Sequence, residues 1–498
     1  MVACSRLTRL IVTRAYFFRL RHVVWLLATS FFLPLPHETM DALDFVIVGG
    51  SIAGLTAAYA LRQAGHRVLV LERRERDAVM EGGLRVPPNM TCLLKTLPQG
   101  PELLEAYGWR CSAITFINCE SQQTIGRLQL IEEVMTDLGC YYYMVPYEKL
   151  YNFLRDLCES SGAQIRFQTD IVAIQLGRNA KPTVVTSTGE SIKADILVGA
   201  DGRASIVRDA LLGLNLDADS ADESDFDDCR SEGSTLSLPP DLHEIVGGTC
   251  CINISAVQDQ ADLMEIANST EFTYWPGTDL FVSGHRCGPD LFVVSIVWTN
   301  GLHTEDTDSD WRPEPLILND RDAESFRLQD ARLKRLVSYA TTCHRTIQQI
   351  PKIPRVTDPN TRVIIIGDAA HSTPIHCSHN SSLAVEDGFA LGRIFSRIKC
   401  KTQIPFFLSA FHQIRHKRGL AVEAAELAGI AASTFGPGPA RDARDKQLAL
   451  MSSANGNGEV EDEVVAAVWA DYLMQFNYNA IEAVEDWWLT WGKLNKDC

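Results

Sequence analysis

The sequence predicts an α/β chain in which a Rossmann-like parallel-sheet domain is interleaved with an antiparallel-sheet domain and followed by C-terminal helices. Three observations predict it. Asp44–Glu72 reads as strand, glycine turn, helix, strand and acid, in that order. Two later apolar strands, ending in Asp201-Gly202 and in Gly367-Asp368, repeat the strand-to-glycine-turn pattern far along the chain. The region from about Cys250 to Trp298 is rich in β-branched and aromatic residues, as an antiparallel sheet requires.

In the first unit, Phe45–Val48 forms the apolar strand and Gly49 allows the sharp turn. A helix opens at Ile52–Gly54, where Gly54 lets helix and sheet pack closely and the free N–H groups of the first turn face a pyrophosphate. Ser51 holds the middle position of the usual Gly-x-Gly-x-x-Gly; it is small enough for close backbone approach. The second strand, Arg67–Leu71, delivers Glu72, 18 residues beyond Gly54, where its carboxylate meets a ribose diol, with Arg73 beside it.

At 498 residues the chain exceeds one ordinary core, so two closely packed domains are expected. A formal net charge of -17 argues against nucleic acid or an anionic membrane as partner, because phosphates would be repelled. The 14 cysteines are scattered with no Cys-x-x-Cys pair, which argues against the common zinc and iron–sulfur spacings. They fit buried thiols in a reducing, cytoplasmic compartment, and no metal site is expected.

Residues 1–39 differ from the rest: Arg6, Arg9, Arg14, Arg19 and Arg21 precede the apolar run Val23–Leu35, and no acid appears before Glu38. Two readings stand side by side. One is a targeting or interfacial anchor segment giving weak membrane association; the other is a mis-called start, with Met40 the true one. Residues 217–228 carry seven acids and read as a solvated insertion. Thr434–Ala440 is a Gly/Pro turn and Ser452–Gly458 a polar loop. Gln164–Ile174, Thr183–Val185 and Ile196–Gly199 are expected as strands, and Asp320–Ile350, Phe406–Leu427 and Val464–Trp491 as helices, the last with an aromatic stripe (Trp469 to Trp491) that packs into the core.

After the strand Ile196–Gly199, Asp201-Gly202 closes a turn where a carboxylate and an unhindered backbone meet a ligand, and Ser205 sits near the next helix start. After Val363–Ile366, Asp368 points into the crevice at the strand ends, where it can accept from a ribityl hydroxyl. Ser372–Ser382 then leads into a helix, Leu383–Phe395, whose N-terminal dipole faces the same place.

With these motifs in this order, the chain resembles the single-component FAD-dependent aromatic hydroxylases, the salicylate and para-hydroxybenzoate hydroxylase-like monooxygenases, of the fungal secondary-metabolism type. The likeness runs from about Asp44 to Arg418; it includes Gly82–Asn89 and the Arg415/Arg418 pair. The resemblance implies that Glu72 binds the adenosine ribose, that Gly83 and Arg85 approach the isoalloxazine or diphosphate, that Asp201 and Gly202 serve FAD and a passing NAD(P)H, and that Asp368 holds the ribityl chain. Ser381, in the loop before the last helix, joins the same set.

The resemblance also implies a division of the chain. Residues 40–115, 141–215 and 351–430 build the FAD-binding domain in three parts. Residues 116–140 are an excursion into the substrate domain, 216–350 are its main sheet, and 431–498 are C-terminal helices. Two departures stand out. Tyr147 falls where the family carries an arginine, and Ser378–Ser382 contains no glycine where the family has a glycine-rich loop.

The implied activity is hydroxylation of an aromatic or polyketide-type small molecule, with or without decarboxylation, using NAD(P)H and O2 through a flavin C4a-hydroperoxide. No catalytic residue is assigned; Tyr274, His285 and His376 are candidates for the substrate pocket at the domain interface. Two alternatives stay open: an epoxidase or oxidase acting on a prenylated or terpenoid substrate, and a non-catalytic, flavin-poor relative suggested by the glycine-free loop.

Overall fold

The computed structural model describes residues 42–213, 244–299, 330–349, 351–453, 469–470 and 472–494. Two sheets organise it. The first is a six-stranded, mainly parallel sheet in the order Thr357–Asp358, Val363–Ile365, Ile196–Gly199, Asp44–Val48, Arg67–Leu71 and Gln164–Arg166. Its central strands are apolar at every position after Asp44 because helices cover both faces, leaving no solvated side to alternate with. Ile52–Gln63 packs on the sheet and against Asn380–Phe395, and the 30-residue helix Ile404–Ser433 closes over the latter.

The second sheet has seven strands in the order Ala340–Gln349, Glu244–Asn253, Leu291–Trp298, Leu280–Cys287, Glu271–Pro276, Ala113–Ile117 and Thr124–Gln129. Neighbours are antiparallel except Glu271–Pro276 with Ala113–Ile117. Period-two alternation sorts its side chains. One face, with Trp275, Val282, Phe292, Val294, Ile296 and Trp298, packs into a core with Leu263, Leu333 and Leu336 from the helices Ala261–Ala267 and Ala331–Ser338. The other face looks toward the parallel-sheet domain. There the register aligns Thr249, Ser295, Ser283 and Tyr274 in one row, and Cys251, Val293, His285 and Phe272 in the next.

Three expectations need correcting. Asp320–Ile350 is not one helix: Ala331–Ser338 is helical, but Ala340–Gln349 is the edge strand paired along Glu244–Asn253. Its sequence, ATTCHRTIQQ, carries four β-branched residues, and the long ladder overrides the helical pattern read into it. In Val464–Trp491, the helix stops before Asn479, whose side chain accepts from the N–H groups of Ile481 and Glu482 and starts a new helix, Ala480–Thr490. Trp469, Tyr472 and Phe476 are buried, but Trp491 is 59% exposed, so the aromatic stripe is core only in its first half. The third concerns cysteine: Cys92 and Cys140 are joined in a disulfide with Cα atoms 5.6 Å apart, whereas Cys111, Cys158, Cys250, Cys251, Cys287 and Cys343 are buried free thiols.

The 1–39 segment, the acidic stretch 217–228, residues 320–329 and most of the 452–458 loop lie outside the described residues. Among the described residues no helix is long and apolar enough to cross a membrane, and no cluster of His, Cys, Asp and Glu could hold a metal.

Candidate functional site

The parallel strands Val363–Ile365, Ile196–Gly199, Asp44–Val48 and Arg67–Leu71 are neighbours in that order. Their C-terminal ends therefore set Gly367-Asp368, Asp201-Gly202, Gly49–Ser51 and Glu72 side by side along one edge of the sheet. The crevice outside the carboxyl ends of parallel strands is where open α/β sheets bind ligands.

The backbone there is packed to its limit. Gly49 has φ +102°, and a Cβ on it would lie 2.2 Å from the Ala200 carbonyl oxygen. A Cβ on Gly54 would lie 2.0 Å from the Gly49 carbonyl oxygen, so this glycine serves the turn as much as the helix–sheet contact. Ser51 makes no side-chain hydrogen bond to the first turn of Ile52–Gln63, so those N–H groups are not capped by it. Its Oγ instead lies 3.0 Å from the hydroxyl of Tyr147, which also stacks on Tyr151. The tyrosine standing at the family's arginine position is thus a second-row support for the glycine turn.

Glu72 is buried; Oε2 accepts from the Gly50 N–H at 2.6 Å and Oε1 from the Arg74 N–H at 2.9 Å. Each oxygen keeps a lone pair for a further donor. Arg73 is exposed beside it. Asp201 turns back onto its own helix: its carboxylate accepts from the Ser205 hydroxyl and, at 3.2 Å, from the Val207 N–H. Burial raises its pKa, against those two hydrogen bonds. Gly202, with φ +80°, leaves open space where a Cβ would stand. Asp368, on the short turn Gly367–Ala369, pairs with Arg203 at 3.3 Å and stays 36% exposed. Arg203 carries this bridge between two loops, and no sequence motif pointed to it.

Gly83 and Arg85 sit on the strand Gly83–Val86, against the seven-stranded sheet. A Cβ on Gly83 would meet Cys287 Sγ at 2.2 Å, so the glycine sets how closely the strand and sheet approach. Arg85 points into the same interface: Nη1 donates to the His376 carbonyl, Nη2 to Ser283 Oγ at 2.8 Å, and its guanidinium lies 4.5 Å from the Phe272 ring centroid.

The glycine-free loop uses its side chains inwardly. Ser381 Oγ donates to the Arg85 carbonyl at 2.9 Å and Ser382 Oγ to the His379 carbonyl at 3.0 Å. His379 stacks on Phe476 at 4.9 Å and bonds Glu426 at 2.6 Å. The helix Asn380–Phe395 consequently begins with no side-chain cap from His379, three residues earlier than the sequence suggested.

Behind this helix lies a buried charge network that the sequence reading saw only in part, through Arg415 and Arg418. Arg415 bonds Asp387 at 2.7 Å and Glu386 at 2.9 Å; Arg418 reaches Glu386 at 3.3 Å, and Asn89 donates to it at 2.7 Å. Asp387 Oδ2 also meets His371 Nε2 at 2.8 Å and accepts from the Gly367 N–H at 2.9 Å. The network therefore clamps the turn that carries Asp368. Two adjacent acids in the middle of an apolar helix, Glu386-Asp387, were the available signal.

Tyr274, His285 and His376 come together on the inner sheet face. Tyr274 packs edge-on against Phe272 at 4.5 Å and stacks on Phe116 at 5.5 Å. His376 has φ +61° and its ring lies 3.3 Å from Thr249 Oγ1; burial, with Arg85 and Arg203 nearby, lowers its pKa to about 3. His285 lies beside Phe272, with ring centroids 5.3 Å apart.

Residues 42–225 match the model of an FAD binding domain. The chain is 23% identical over 457 residues to the FAD-dependent monooxygenase OpS4 of Beauveria bassiana, covering 90% of this chain and 97% of that protein. It is 24% identical over 392 residues to the hispidin-3-hydroxylase of Neonothopanus nambi, covering 76% of this chain and 86% of that protein. Among solved structures, CtdE in complex with FAD and substrate superposes with a TM-score of 0.67 at 16% identity, covering 91% of this chain and 100% of the other. The fold, the motif order and these relatives agree: the chain carries an FAD binding domain and is similar along most of its length to FAD-dependent monooxygenases of the aromatic hydroxylase-like kind.

Proposed function

We propose that the chain hydroxylates an aromatic or polyketide-type small molecule with NAD(P)H and O2, in the cytoplasm, and that the loops along the parallel-sheet edge hold its FAD. The observation carrying this reading is that Glu72, Gly49–Ser51, Gly202 and Asp368 share one strand-end edge, next to the inner face of the seven-stranded sheet that bears Tyr274, Ser283 and His285. The residues fit the cofactor. The first turn of Ile52–Gln63 has donors that Ser51 leaves uncapped, Glu72 has acceptor capacity beside it, and Gly202 leaves open space.

In this reading Glu72 takes the ribose hydroxyls, the Ile52–Gln63 N-terminus takes the pyrophosphate, and Asp368, oriented by Arg203, takes the ribityl chain. Asp201 acts from behind, by capping the helix Ile206–Gly213 so that Gly202 is held in place. Gly83, Arg85 and Ser381 fix the distance between the two sheets. Bound FAD supplies the redox chemistry, taking reducing equivalents from NAD(P)H and activating O2. The protein orients the aromatic ring against Tyr274 and Phe272 and keeps water from the interface.

The inward-turned side chains of Ser381, Ser382 and His379 support flavin binding by this chain over the flavin-poor alternative, because they keep the helix start clear. Asp368→Ala tests the assignment: the variant should fold and purify with flavin content greatly reduced. Wild-type flavin content in that variant would remove Asp368 from the site.

A further inference from the structure

Among the described residues, the inner face of the seven-stranded sheet contains one buried polar side chain whose hydrogen bonding is wholly unmet. His285 is 2% exposed, and neither Nδ1 nor Nε2 has a partner. Its neighbours on that face are engaged. Ser283, two residues before it on the same strand face, accepts from Arg85, and Thr249 lies against His376. Arg85 donates once from each terminal nitrogen to a protein acceptor, and its guanidinium carbon lies 4.5 Å from the Phe272 ring centroid. Phe272 and Tyr274 supply the flat apolar surface beside the imidazole.

Buried polar groups without partners are rare in native proteins, and leaving one unmet costs about 1–3 kcal/mol. Such a group in an enzyme pocket is explained when a ligand supplies the missing bonds. Burial holds the imidazole neutral, with Arg85 and His376 acting in the same direction. A neutral imidazole offers one N–H donor and one acceptor nitrogen. That pair complements a hydroxyl group and does not neutralise a carboxylate. A carboxylate laid on this face would have to draw its countercharge from Arg85, two of whose five N–H donors already hold the His376 carbonyl and Ser283.

Resting on the monooxygenase reading above, we infer that His285 is the substrate-recognising residue of this site and that it selects an uncharged phenol over an aromatic carboxylate. The imidazole exchanges hydrogen bonds with a phenolic hydroxyl while the ring lies along Phe272 and Tyr274. A site built to hydrogen-bond a hydroxyl discriminates strongly against ligands that leave its own polar group unpaired.

The test is calorimetric titration of the purified full chain, its flavin content measured on the same sample. Catechol, resorcinol and phloroglucinol are compared with salicylate and 3-hydroxybenzoate. The expected result is that the phenols bind and the carboxylates bind about tenfold more weakly or not at all. His285→Leu should weaken the phenols by about tenfold or more while leaving the melting temperature unchanged or raised, because it removes an unpartnered polar group. His285→Arg should shift preference toward the carboxylates.

A yellow protein that prefers carboxylates, or that binds no phenol, overturns this inference alone. So does a His285→Leu variant that loses stability yet binds phenols as before, since the imidazole is then structural. A colourless protein overturns the monooxygenase reading and this inference with it.

Discussion

Arg415 Nε donates to Asp387 Oδ1 at 2.7 Å with both side chains fully buried, and the second oxygen of Asp387 holds the Gly367 N–H and His371. A charge pair in the helical layer thereby positions the turn that presents Asp368. Removing one partner of a buried pair leaves the other uncompensated and costs about 3–5 kcal/mol. Arg415→Met should lower stability on that scale in denaturant melts. If some protein folds, it should carry less flavin than wild type.

The same carboxylate sets an acid limit. Burial pushes the Asp387 carboxyl up, but His371 and Arg415, with the hydrogen bonds from His371 and Gly367, bring it down to about 2. A free aspartate titrates near pH ~3.9. Because the folded value is the lower one, the contribution is fully present above about pH 4 and is lost as pH falls toward about 2. Melting temperature against pH should drop steeply in that window for wild type, and Asp387→Asn should lack that component.

Buried neutral histidines act at milder pH. Burial lowers His66 to about 4 despite the Phe395 carbonyl, His376 to about 3, and His412 to about 4. Unfolded histidine binds its proton near pH ~6.5, so stability should already decline below that value, before Asp387 begins to matter. Replacing His412 by Asn should flatten the part of the curve between about pH 6.5 and 4.

Two glycines carry the nucleotide turn. Gly54→Ala puts a methyl 2.0 Å from the Gly49 carbonyl oxygen, and Gly49→Ala adds left-handed backbone strain to a 2.2 Å clash with Ala200. Overpacking of this kind costs about 1–3 kcal/mol. Each variant should melt lower and purify with little flavin. Tyr147→Phe, which removes only the 3.0 Å contact with Ser51, should cost about 0.5–1.5 kcal/mol and leave most flavin bound.

The parallel sheet was readable from the sequence because its strands are short apolar runs ended by glycine, a pattern set by local chemistry. Glu72, Gly49 and Gly54 could be placed for the same reason. Arg85 could be named but not aimed: only the packed interface reveals that it donates to Ser283 and His376. Asp201 was legible as a turn residue, whereas its turn inward to Ser205 and Val207 depends on the helix that follows. Ala340–Gln349 reads as helix from its own residues because an edge strand is defined by its partner, here the distant strand Glu244–Asn253. Glu386 and Asp387 lay in plain view, but their meaning required Arg415 and His371 to be brought from separate segments.

The most direct measurement is the absorption spectrum of the purified full chain, with protein and flavin quantified together. Convergence of the Glu72, Gly202 and Asp368 loops on one cofactor predicts a yellow protein holding close to one FAD per chain. A folded, colourless protein that takes up no FAD when it is added would contradict the account.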